Sequence, residues 1–188
     1  MSHKNPDRIS EYEFSIGVRL THWIRFIAIT LLIVSGYYIS YVFMSPEITS
    51  EPTNFMQAKW RLAHQVAGFV LIAVFIFKFY LFVFDKHSKK EWMSVLDFLS
   101  PKVWIAQIKY YIFMGPHPHL RGVYNPLQFA SYFFFYVILA LICLTGLVLY
   151  AHVYHNGLGG AIYEPARYFE ELMGGLANVR TIHRICMW

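Results

Sequence analysis

Three apolar runs, Leu20 to Phe43, Leu62 to Phe84 and Leu127 to Tyr150, constrain this chain more than any other feature. Each reaches or exceeds the roughly 20 residues that a helix needs to cross a bilayer. In lipid the backbone must satisfy its own polar groups, so such runs fold as helices. The sequence therefore predicts an all-α integral membrane helix bundle in one domain spanning residues 1–188. Only 14% of residues are charged and 19% are aromatic, which sets the chain apart from soluble globular proteins. The first run is not read as a secretory leader: Asp7, Glu11 and Glu13 precede it, and no small-residue cleavage site follows. The net charge of +5 does not point to nucleic acid, because the charges bracket helices and form no stripe. Cys143 and Cys186 lie in or beside apolar runs and read as free thiols.

Between the runs, Pro46 and Pro52 mark turns in loop one, which extends from Met44 to Lys59 with Glu47 and Glu51, and helix two is expected from about Trp60. Loop two, Asp85 to Asn125, holds a predicted interfacial helix over Lys102 to Met114, broken at Gly115-Pro116. Pro126 suits the first turn of helix three. Loop three, Ala151 to Arg180, is expected to hold a short helix from Glu164 to Met173. A fourth membrane helix is expected to start near His183, which leaves three complete transmembrane helices plus the start of a fourth, cut short after Trp188. Basic residues set the orientation. Ten lie on the N-terminal flank and loop two, among them Lys4, Arg8, Arg19 and Arg25, against five at the other ends of the helices. The N-terminus and loop two are therefore expected in the cytoplasm.

Ionisable side chains inside membrane helices are functional hypotheses by default. His64, near the outer end of helix two, and His183 fall at one depth; His22 lies near the inner end of helix one. Two imidazoles facing across a bundle suit a six-coordinate b-type haem that transfers electrons. Gly36 stands fourteen residues after His22, about 21 Å of rise, which brings it to the level of His64 and His183. Gly68 and Gly146 reach the same layer. Together these glycines give clearance for a macrocycle; each taken singly reads first as close helix packing. Lys78 shares the depth of His22 and either snorkels to the inner surface or meets haem propionates. Arg61 and Arg184 are the outer candidates for propionates, or else interfacial anchors.

Several of these stretches, in order, carry a resemblance: Val18-Arg19-Leu20-Thr21-His22-Trp23, Ser35-Gly36-Tyr37, Arg61-Leu62-Ala63-His64 with Ala67-Gly68, Asn125-Pro126, Thr145-Gly146, Pro165-Ala166-Arg167-Tyr168 and His183-Arg184. The chain resembles the b-type cytochrome subunit of membrane-bound nickel–iron uptake hydrogenases. The resemblance implies a multi-pass protein of the bacterial inner membrane and two b haems. The outer haem would be held by His64 and His183, the inner by His22 and a histidine expected beyond Trp188. It implies that the chain does not itself oxidise hydrogen. Electrons would pass from the iron–sulfur small subunit, partnered with the nickel–iron large subunit, through the haems to a quinone. Some relatives have a histidine where this chain has Tyr124, so His119 and His117 become the candidates for quinone contact or proton delivery. Cytochrome subunits of formate dehydrogenases share the layout; a histidine-lined transporter and a structural anchor without cofactor are the other readings.

Overall fold

The computed structural model describes residues 14–44 and 55–187. The readings placed on the N-terminal acids and bases, on Pro46, Glu47, Glu51 and Pro52, and on Trp188 lie outside these residues. Among the described residues the fold is all helical: α1 (Ile16–Ser40), α2 (Met56–Phe84), α3 (Lys89–Phe98), α4 (Pro101–Tyr111), α5 (Pro126–Val153), α6 (Leu158–Ala161), α7 (Tyr163–Leu172) and α8 (Leu176–Ile185). Helices α1, α2 and α5 are long and apolar enough to cross a membrane. Their outward side chains are large and apolar, with Leu31, Ile76 and Phe134 all more than half exposed. A surface of that kind belongs in hydrocarbon, and the protein is a multi-pass membrane protein.

Two compact units divide the helices: residues up to Trp23 with Ile76–Ala130, and Ile24–Phe75 with Ser131 onward. In the second unit, Ala28 of α1, Leu71 of α2 and Leu139 of α5 meet in one buried cluster. A second cluster packs Val148 and Ala151 of α5 against Ala166 of α7 and Val179 of α8. Small residues at these contacts let backbones approach, the usual basis of helix association in lipid. His152 and Glu170, 2.7 Å apart, tie α5 to α7 as well.

The first unit holds α3, α4 and the adjoining ends of α1, α2 and α5. It differs from the sequence expectation most at α3, where the sequence predicts only loop. The reason is an inverted pattern. The buried positions of α3 are Glu91, Ser94 and Asp97, while Trp92, Met93 and Leu96 face outward. Each buried polar group has a partner. Lys78 Nζ lies 3.1 Å from both Glu91 oxygens. The amides of Arg121 and Gly122 donate to Asp97 Oδ2 at 2.7 and 2.9 Å, and that of Tyr124 to Ser94 Oγ at 3.0 Å. Residues 121–124 are thus laced along α3. The start of α5 is a capping box. Gln128 N donates to Asn125 Oδ1 at 2.9 Å and Asn125 N to Gln128 Oε1 at 3.2 Å, with Pro126 in the first turn.

Other boundaries shift by a turn or less. Helix α2 starts at Met56 rather than Trp60, and the interfacial helix is α4, ending at Tyr111. The short helix of loop three is α7, preceded by α6, a turn the sequence reading did not include. One correction bears on the site. Helix α8 begins at Leu176, after Gly174 and Gly175 at φ of 83° and 99°. The helix that carries His183 therefore begins seven residues earlier than the sequence places it.

Candidate functional site

The second unit brings His64 of α2 and His183 of α8 together, with ring centres 6.3 Å apart and planes at 72°. The two rings are held by one repeated device. Ser35 Oγ of α1 lies 2.9 Å from His64 Nδ1, and Thr145 Oγ1 of α5 lies 2.8 Å from His183 Nδ1. Both hydroxyls are buried. Each has one proton, and each donates it to a backbone carbonyl of its own helix: Ser35 to Leu31 O at 2.6 Å, Thr145 to Leu141 O at 2.8 Å. The hydroxyl oxygens are then acceptors toward the imidazoles, so the network assigns an N–H to Nδ1 of both rings. The lone pair falls to Nε2 on both. That is the form in which histidine binds a metal, with its second nitrogen oriented by an outer partner.

The residue after each hydroxyl is glycine. A Cβ on Gly36 would stand 3.2 Å from His64 Cε1 and 3.5 Å from Met187 Sδ. One on Gly146 would stand 3.4 Å from His183 Cε1. Ser35-Gly36 and Thr145-Gly146 thus form matching clamps: the hydroxyl accepts from the ring and the bare Cα lets the ring lie close. The sequence reading found the glycines and missed the hydroxyls. Gly68 faces open space, with nothing within 4 Å of where its Cβ would be.

The spacing of the rings tests what they can hold. A metal bonded to both at about 2.0–2.1 Å, with about 1.1 Å from each nitrogen to its ring centre, needs centres about 6.3 Å apart. The observed centre separation of 6.3 Å is compatible with that span. Among the described residues no group of three or more His, Cys, Asp or Glu is placed to hold a bare ion. Two imidazoles fit an iron whose remaining ligands come with it, as in a haem.

The other sequence-predicted residues lie elsewhere. His22, in the first unit, is exposed and meets Trp23 edge-on at 5.8 Å. Lys78, expected at the inner surface or at propionates, has its ammonium on Glu91. His117 stands edge-on to Tyr110 at 4.9 Å, and His119 is exposed. Arg184 is exposed beside His183. Arg61 is exposed too, and lines a cavity of about 440 Å³ with Gln57, Gln65 and Tyr154.

The chain has relatives among named b-type cytochromes. The chain is 29% identical to the "Probable Ni/Fe-hydrogenase 1 B-type cytochrome subunit" of Escherichia coli, over all of this chain and 80% of that one. It is 29% identical to the "Probable Ni/Fe-hydrogenase B-type cytochrome subunit" of Rhodobacter capsulatus, over 96% of this chain and 70% of the relative. The protein of that name from Azotobacter vinelandii is 30% identical, over 94% and 74%. Residues 13–188 match the model of one family, so the chain belongs to the prokaryotic cytochrome b561 family.

Proposed function

We propose that the protein is the membrane anchor and electron-transfer subunit of a nickel–iron hydrogenase, with His64 and His183 as the axial ligands of an outer b haem. The observation that carries this is the pair of imidazoles with ring centres 6.3 Å apart, each with its Nδ1 on a buried hydroxyl. When bound, haem supplies a one-electron couple at iron. The chain's residues hold it: Ser35 and Thr145 fix the tautomer and aim of the imidazoles, while Gly36, Gly68 and Gly146 leave clearance. Two strong ligands close the iron to other molecules, which suits electron transfer over oxygen chemistry.

His22 is the proposed ligand of a second, inner haem. The complex would sit in the bacterial inner membrane with the N-terminus cytoplasmic, as the distribution of Lys and Arg favours. Electrons from the iron–sulfur small subunit of a periplasm-facing hydrogenase would enter at the outer haem and leave to quinone beside loop two, where His117 and His119 are the candidate proton donors. The relatives' names support the hydrogenase partner. The test is to purify the complex and substitute His64→Ala. Quinone reduction by hydrogen should stop while hydrogen oxidation with a soluble dye continues. Quinone reduction that survives the substitution would refute this reading.

A further inference from the structure

Helix α3 is pinned to the end of a spanning helix. Ser88 Oγ donates to Leu81 O at 3.1 Å and Trp92 Nε1 to Phe82 O at 2.9 Å, so the residues that open α3 cap the last turn of α2. The Trp92 ring stacks on Phe82 at 4.7 Å. At the far end of α3, Trp104 Nε1 of α4 donates to Phe98 O at 2.7 Å. Both indoles are thus satisfied without water, as they must be at the edge of hydrocarbon. Helix α2 exposes large apolar side chains to its last residue, Phe84. The lipid that covers them ends where α3 begins.

The charge around α3 and α4 is sorted by sign. None of the three carboxylates between Ile76 and Ala130 is exposed: Glu91 lies on Lys78, Asp97 on the amides of Arg121 and Gly122, and Asp85 is partly buried. The cations stay outside. Lys86, Lys89, Lys90, Lys102, Lys109 and Arg121 are all exposed. Among them stand Trp92, Met93 and Leu96 of α3 and Ile105 and Ile108 of α4, each about half exposed, with Phe113 just beyond. Lysines that snorkel from any bilayer surface would account for the cations alone. Neutral lipid would accept the apolar side chains. Neither gives a reason to keep every acid off the surface, whereas an anionic headgroup layer does: apolar insertion and electrostatic attraction then act together.

The sequence marks α4 alone as interfacial. We propose that α3 and α4 together form an in-plane platform that binds anionic phospholipid, with Trp92, Met93 and Leu96 among the acyl chains and the lysines on the headgroup phosphates. The inference needs only a membrane protein whose α2 ends at the lipid surface, and it is independent of the haem ligands.

The experiment places the purified complex in nanodiscs with photoactivatable phosphatidylglycerol or phosphatidylcholine carrying the same diazirine acyl chain, and maps the labelled peptides by mass spectrometry. Peptides within residues 86–114 should take more label from phosphatidylglycerol, while the apolar middle of α5 takes the same from both. High salt should reduce that excess in the wild-type complex. Each lysine removed should weaken the preference roughly fivefold. Lys89→Gln should therefore reduce the excess, and the triple change Lys89→Gln, Lys102→Gln and Lys109→Gln should abolish it with the haem spectrum unchanged. Arg167→Gln on α7 should leave it in place. Equal labelling by the two lipids in the wild type, or an excess that survives the triple change, would overturn the proposal. So would the absence of label from either lipid over residues 86–114, since another protein would then cover this face.

Discussion

Thr145→Val removes one oxygen from the site and almost nothing else. Thr145 is fully buried and valine has its shape, so the change leaves no cavity. The two carbonyls near the hydroxyl, Leu141 O at 2.8 Å and Ile142 O at 3.1 Å, keep their helix partners. His183 Nδ1–H is what loses an acceptor, at present 2.8 Å away. A buried donor left unpaired costs about 1–3 kcal/mol. Loss of an outer partner to a metal-binding histidine costs about 10–100-fold in affinity, which is about 1.4–2.7 kcal/mol. The two figures agree. The Ile142 carbonyl also lies within reach of the imidazole, which puts the expected loss toward the lower end, near tenfold. The assay is the rate of haem transfer from the purified protein to excess apomyoglobin, with the haem-to-protein ratio measured beforehand. Thr145→Val should release one haem about tenfold faster, and Thr145→Ser, which keeps the hydroxyl, should behave as wild type. The potential should rise in the valine variant, because an acceptor at Nδ1–H strengthens the ligand and favours oxidised iron. Wild-type release and potential in Thr145→Val would refute the clamp.

Two predictions concern the first unit. Glu91→Gln leaves the Lys78 ammonium, 12% exposed, without its counter-charge, and should destabilise the protein in detergent by about 3 kcal/mol or more; the paired change Lys78→Met with Glu91→Leu should cost less, and a Glu91→Gln melting temperature equal to wild type would show that the pair is solvated. Gly122→Ala would drive a Cβ into the Ser94 backbone, so residues 121–124 must lift from α3, at about 1–3 kcal/mol. Hydrogen exchange should then speed up at the Arg121 and Gly122 amides that now bond Asp97, and unchanged protection there would contradict the contact.

The spanning helices were legible because length and hydropathy alone define them in lipid. The start of α5 was legible as well, because Pro126 fits the first turn and fixes the boundary. Rise per residue was enough to bring His64, His183, Gly36 and Gly146 to a shared level, and in the structure their side chains or bare Cα atoms do meet. Helix α3 was hidden because its polar side faces inward. At a membrane, Trp92, Met93 and Leu96 gain nothing by turning away from lipid, so apolar periodicity stops reporting the core. The start of α8 was hidden because Gly174-Gly175 read as loop, while the chain uses their positive φ to open a helix seven residues before His183. The roles of Ser35 and Thr145 were hidden for another reason. A hydroxyl in a membrane helix usually bonds the carbonyl one turn back, and both do so here. That the same oxygen also accepts from a histidine on another helix depends on packing, which no local pattern encodes.

The central claim is that His64 and His183 bind one iron between them. The most direct measurement is the dithionite-reduced minus oxidised spectrum of the purified protein, set against those of His64→Ala and His183→Ala, with haem counted per chain. Either substitution should remove the same single haem, and the double variant should lose no more. If each variant lost a different haem, or if either kept the wild-type count, the two histidines would not share an iron.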